Sequence, residues 1–206
     1  MLRYLDVQNI LDKNDLILQE SGCVGSENER GNTYMKKIGI VTDSHSSISQ
    51  EEAEKLGIFV LPMPFYIDGE CFYESVTLSR ELFFEKLAAG ADITTSQPSP
   101  TAVMEIWDKA LEQFEKILYL PISSGLSGSY ETAMMLAKDE AYEGRVLVVD
   151  DGQVAAPLHQ MALDTLDMIK KGYEAEQIRD LLERAGDRMM IYIALQTLEC
   201  LKKGGR

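Results

Sequence analysis

A chain of 206 residues with 45% hydrophobic content is long enough for one large domain, or for a domain and part of another, around a buried core. Its formal net charge of −14 argues against nucleic acid and against anionic membrane surfaces, both of which call for a basic face. An anionic ligand stays open, because a few fixed dipoles inside a pocket hold a carboxylate whatever the sign of the outer surface.

Residues 1–34 read as an extension. Leu2, Leu5, Ile10, Leu11 and Leu18 fall in rough helical spacing, and 19–33 is a polar, Gly-containing linker. The apolar run Ile38-Gly39-Ile40-Val41 before Thr42-Asp43-Ser44 predicts the buried first strand of a parallel sheet. A helix over 49–56 and the apolar run Ile58 to Pro64 follow, then a hairpin over 66–73 turned at Asp68-Gly69. Ser79 caps a helix that ends near Gly90. Next come a helix from Pro100 to about Glu115, a strand over 116–120, a helix from about Ser129 to Lys138 and a strand over 145–149. Strand and helix alternate at βαβ spacing, which predicts an α/β fold whose parallel sheet carries helices on both faces.

Beyond residue 155 the rhythm changes. Helices over 157–171 and 175–185, a strand over 188–194 and a short helix over 197–203 predict the start of a second α/β domain. The expected division is therefore 1–34 as extension, 35–155 as parallel-sheet domain and 156–206 as partial second domain. A strand at 188–194 with nothing after it to pair with suggests a piece of a longer protein. Cys23, Cys71 and Cys200 form no CxxC pair and read as reduced thiols. No stretch reaches the roughly 20 apolar residues of a membrane span, and 1–34 lacks the pattern of a signal peptide. The expected location is the cytoplasm.

Two hydroxyl-rich runs carry the chemistry: Thr94-Thr95-Ser96-Gln97-Pro98-Ser99-Pro100 and Ser123-Ser124-Gly125-Leu126-Ser127-Gly128-Ser129-Tyr130. Each precedes a helix, whose first backbone N–H groups have no intrahelical partner and favour an anion. Ser99-Pro100 is a helix start in itself. Thr94 to Gln97 then fall at the carboxyl end of a short segment, where a doubly wound sheet places its ligand crevice. The second run is neither a Walker loop nor a dinucleotide fingerprint, and Ser129 stands where the GxSxG nucleophile elbow needs glycine. His45 and His159 read as a turn residue and a helix-face residue rather than general bases. Asp43, Asp150 and Asp151 sit at strand ends and read as caps rather than metal ligands. Phe65, Phe72, Met63, Met134 and Met161 are candidate linings for an apolar tunnel, although large apolar residues at such spacing are more often core.

From Met35 to Arg206 the chain resembles the DegV family of bacterial fatty-acid-binding proteins. The resemblance rests on Ile38 to Ser44, Thr94 to Pro100, Ser123 to Gly128, Val148-Val149-Asp150 and Thr197 to Arg206, in one order. It implies a long-chain fatty acid held between an amino-terminal parallel-sheet domain and a carboxy-terminal domain, and presented to a separate fatty acid kinase. It further implies that Thr95 and Ser127 hold the carboxylate with Ser96 and Ser124 as neighbours, with no catalysis and no cofactor of the protein's own. Arg206, free to project after Gly204-Gly205, is expected to serve the kinase contact. The segment 151–159 departs from the family's Ser- and Gly-rich pattern. The rival reading is an enzyme acting on a phosphorylated small molecule, with the Ser/Gly loop on phosphate and Asp43 or Asp150 on Mg²⁺. A third is an interaction module with a vestigial pocket.

Overall fold

The computed structural model describes residues 36–73 and 76–192, which lie in a compact unit beginning at Lys36. Its centre is a four-stranded sheet of β1 (Lys36–Asp43), β2 (Phe59–Leu61), β6 (Phe114–Leu120) and β7 (Val146–Val148), in the order β2-β1-β6-β7. Every pairing is parallel: Asp43 stands opposite Leu61, Thr42 opposite Leu120 and Tyr119 opposite Val148. Parallel strands covered on both faces call for continuous apolar runs. Accordingly Ile40 and Val41 in β1 and Ile117 to Leu120 in β6 are all buried.

Successive strand residues point to opposite faces. Val41, Ile117, Tyr119, Val146 and Val148 pack under α3 (Pro100–Leu111) and α4 (Ser129–Leu136), around a fully buried Trp107. The Trp107 ring meets Tyr119 and Tyr142 edge-on, at centroid separations of 5.5 and 5.3 Å. Ile40, Leu118, Leu120 and Leu147 face the other way. There α5 (Ala156–Lys170) lies against β1, and α6 (Ala175–Gly186) lies against β6 and β7. These two helices, drawn in the sequence as the opening of a second domain, thus cover the second face of the sheet.

A smaller antiparallel sheet holds β3 (Pro64–Ile67), β4 (Glu70–Tyr73) and β5 (Ile93–Thr95) in the order β4-β3-β5. Its hairpin turns at Asp68 and Gly69, whose φ values of 52° and 85° are the two left-handed residues that a tight hairpin turn requires. In chain order α1 (Gln50–Leu56) joins β1 to β2, and α2 (Arg80–Ala88) joins β4 to β5. Ser49, Ser79 and Ser99 each accept a hydrogen bond from a first-turn N–H of α1, α2 and α3, the capping that their residue type predicts.

Three expectations need correction. The third helix stops at Leu111, and Phe114 and Glu115 begin a strand instead. The cause is Phe114, buried edge-on against Phe59 at 6.4 Å, on the spot where a Cβ of Gly39 would stand 2.5 Å from its ring. Thr94 and Thr95 do not end a strand of the parallel sheet. They pair with Tyr66 and Phe65 in the small antiparallel one. Finally, the strand expected at 188–194 is absent as far as it can be followed: among the described residues, 188–192 form a turn and unpaired chain, with Met190 and Tyr192 exposed. The rest of that strand, the helix at 197–203 and Arg206 lie outside the described residues, as do the helix and linker expected in residues 1–34.

Candidate functional site

The two hydroxyl runs leave different sheets and meet at the amino end of α4. The first leaves β5 with Thr95 and Ser96 exposed. Its backbone is tied to the small sheet by the Ser96 N–H, which donates to the Pro64 carbonyl at 3.4 Å. The Ser96 hydroxyl donates to the Gln97 carbonyl at 3.1 Å, Pro98 is buried, and Ser99 accepts from the Ala102 N–H at 3.2 Å to start α3. Thr95 thus stands exposed one step before a loop that is anchored at both ends, with no hydroxyl partner among the described residues.

The second run leaves the carboxyl end of β6. Ile122 N–H donates to Asp43 Oδ2 at 2.8 Å, Ser123 N–H to the Gln153 carbonyl at 3.0 Å and Ser124 N–H to Asp150 Oδ1 at 3.3 Å. The run is thus strapped to the ends of β1 and β7, and Leu126 and Ser127 turn back by donating to the Ser123 carbonyl. Ser127 and Ser129 share a hydroxyl–hydroxyl hydrogen bond of 2.7 Å, and Ser127 Oγ also accepts from the Ser129 N–H at 3.3 Å. Gly128 is the N-cap residue of α4 and supplies no side-chain cap, unlike the serines before α1 to α3. The Ser129 N–H is thus met by Ser127, and the N–H groups that follow it in the first turn, which the cap residue does not reach, face an outside acceptor.

Gln97 joins the two. Thr132 on the first turns of α4 donates from Oγ1 to Gln97 Oε1 at 3.3 Å, and a Cβ on Gly128 would stand 3.3 Å from the same oxygen. Thr95, Ser96, Ser124 and Ser127 thereby belong to two loops in contact, with Thr95 and Ser96 on one side and Ser124 and Ser127 on the other. Gln97 stood in the first run without a role of its own, and Thr132 was not among the sequence candidates. The absence of a side chain at Gly128, next to a serine run, was the one available signal that another chain segment comes close there.

The acidic strand ends act as caps. Buried Asp43 accepts from the His45 N–H at 2.9 Å and from Ile122, with His45 Nδ1 at 3.2 Å, and Asp150 Oδ1 accepts from the N–H groups of Ser124 and Gly152. Asp151 is buried too. Its Oδ1 accepts from the Gln153 N–H at 2.9 Å, while its Oδ2 has no hydrogen-bond partner among the described residues. Burial above all, with the neighbouring Asp150 and Asp43 charges adding, pushes the Asp151 carboxyl up from 3.8 to about 7. His159 pairs with Glu52 at 3.0 Å. The bonds of Ser127 Oγ go to Ser129, so no histidine activates it.

The segment 151–155 forms the floor beneath the second run. Gln153 holds Ser123, and the Ala155 N–H donates to the His45 carbonyl at 2.7 Å, with Ala155 at φ 56° and ψ −133°. The departure from a glycine-rich pattern is thus accommodated in a strained backbone. The five candidate tunnel residues do not share one cavity. Met63 and Met161 are core, and Phe65 and Phe72 stack in the small sheet with ring centroids 6.1 Å apart. Met134 lines a groove of about 390 Å³ beside β7, with Tyr130, Lys138, Val148, Arg179 and Glu183. Among the described residues no three acidic, Cys or His side chains gather to hold a metal, and no helix is long and apolar enough to cross a membrane.

Fold and loops together define a class, a parallel α/β domain in which a hydroxyl loop after β6 abuts a second hydroxyl loop from a small antiparallel sheet. The family described as uncharacterised protein, DegV family, matches residues 37–206, and the chain belongs to it. It is 34% identical over 170 residues to a DegV domain-containing protein of Deinococcus radiodurans, covering 82% of this chain and 60% of that one. To a DegV domain-containing protein of Caldanaerobacter subterraneus it is 31% identical over 172 residues, covering 84% and 61%. Among solved structures, the fatty-acid-binding DegV family protein of Thermus thermophilus matches with a TM-score of 0.72 at 32% identity, over 82% of this chain and 60% of that chain. DegV of Bacillus subtilis, a fatty acid binding protein, matches at 0.66 and 25% identity, over 75% and 55%. This chain therefore spans about three fifths of the length of the curated relatives it matches.

Proposed function

We propose that this protein binds a long-chain fatty acid by its carboxylate, with Thr95 and Ser127 as the donor hydroxyls and Ser96 and Ser124 beside them. The observation that carries the reading is the meeting, through Gln97, of the Thr95 loop with the start of α4, whose cap residue Gly128 brings no side chain. A carboxylate leaving water needs several donors, and each hydrogen bond to a charged group contributes about 1.5–3 kcal/mol. Hydroxyls and helix-start N–H groups supply such donors without a paired cation. The Thermus and Bacillus relatives, which bind fatty acids, support the same ligand class. The phosphate-enzyme reading would place Mg²⁺ on Asp43 or Asp150, whose oxygens here accept backbone N–H groups.

The protein then acts as a carrier in the cytoplasm, without catalysis or cofactor, presenting the acyl carboxylate to a fatty acid kinase that Arg206 contacts. The test is titration with a fluorescent long-chain fatty acid. Thr95→Ala with Ser127→Ala should weaken binding at least about a hundredfold, as expected for two charge-assisted bonds, while the melting temperature holds. Unchanged affinity in the double variant removes these residues from the site. Arg206→Ala should keep affinity and slow kinase-dependent acyl phosphate formation.

A further inference from the structure

Gln97 sits two residues after Thr95, and its side chain reaches across to the element that Ser127 introduces. Thr132 Oγ1 holds its Oε1 at 3.3 Å across 35 residues of sequence. Gly128 makes room for it, since a Cβ there would press on the same oxygen at 3.3 Å. The two loops otherwise belong to separate sheets: one is tied to β3 by Ser96, the other to β1 and β7 by Asp43 and Asp150. Two donor groups on separately anchored loops bind one anion well only if their spacing is set beforehand, because ordering them on binding subtracts from affinity. Resting on the fatty-acid reading above, we propose that Gln97 is a positioning residue. Its amide, gripped by Thr132 and admitted by Gly128, fixes the Thr95 loop against the start of α4 so that the hydroxyls of Thr95 and Ser127 serve a single carboxylate.

The experiment titrates a fluorescent long-chain fatty acid into the full chain carrying Gln97→Ala, Thr132→Val, both together, Thr132→Ser, and Gly128→Ala alone and with Gln97→Ala. A lost neutral hydrogen bond corresponds to roughly three- to tenfold in affinity, and that loss is expected for Gln97→Ala and for Thr132→Val. The double variant should be no weaker than the weaker single, because both break one link. Thr132→Ser, which keeps the hydroxyl, should bind as the parent does, and Gly128→Ala should weaken the parent but add nothing to Gln97→Ala. Thermal melts should coincide throughout, since the contact is exposed. Unchanged affinity in Gln97→Ala, or losses that add in the double variant, overturns the proposal, and if Thr95→Ala with Ser127→Ala still abolishes binding the fatty-acid reading stands without it. A parent protein that does not bind the probe overturns both.

Discussion

Two residues in the 151–155 segment hold conformations or charge states that the surrounding fold imposes. Ala155, at φ 56° and ψ −133°, occupies a region that favours glycine and costs other residues about 1–3 kcal/mol. Ala155→Gly should relieve that strain, and after the extra chain entropy of glycine it should stabilise the protein by about 1 kcal/mol. A lower midpoint in urea for the variant would contradict it. Asp151 has its folded-state carboxyl raised from 3.8 to about 7, so between those values the folded state holds a proton that the unfolded state releases. Its contribution to stability is present at the acid end of that window and is lost as pH rises toward the raised value. Asp151→Asn, which keeps an oxygen for the Gln153 N–H, should flatten this decline and raise the melting temperature at about pH 8 by roughly 2–8 °C. Parallel pH profiles for parent and variant would show that Asp151 does not hold the proton.

Among the elements, those set by local chemistry were legible in the sequence. Ser49, Ser79 and Ser99 announce helix starts, Asp68-Gly69 announces a hairpin, and the apolar run at Ile38 announces a strand buried on both faces. What escaped depends on distant partners. Phe114 fits the helical period of α3 as well as the strand, and its burial against Phe59 and Gly39 decides between them. Thr95 was placed on the wrong sheet because its pairing with Phe65 crosses the whole of α2. Both hydroxyl loops were readable from composition alone, whereas the Gln97–Thr132 link between them was not. The Phe114 contact predicts that Gly39→Ala destabilises by about 1–3 kcal/mol through overpacking. Phe114→Leu, with a smaller side chain at the contact, should cost less in the Gly39→Ala background than in the parent. Additive losses in denaturant titrations would mean that the two positions do not press on each other.

At the scale of the molecule, the parallel sheet supplies one loop and the small antiparallel sheet the other, so the proposed site draws on two separately paired sheets. Helices on both faces make the first sheet a rigid base: the end of α6 is seated so closely that a Cβ on Gly186 would overlap the Asp151 carbonyl. The segment 151–155 strapped beneath the second loop transmits that rigidity to Ser123. Rigid placement of few donors suits recognition of a small planar anion better than it suits a large or variable headgroup. In the proposed function one carboxylate is held by both loops at once. The carboxyl resonance of ¹³C-carboxyl-labelled palmitate bound to the protein tests this. A single protein-bound carboxyl resonance, shifted from that of free palmitate and lost alike in Thr95→Ala and in Ser127→Ala, is the predicted result; a bound resonance that either substitution leaves unmoved would contradict it.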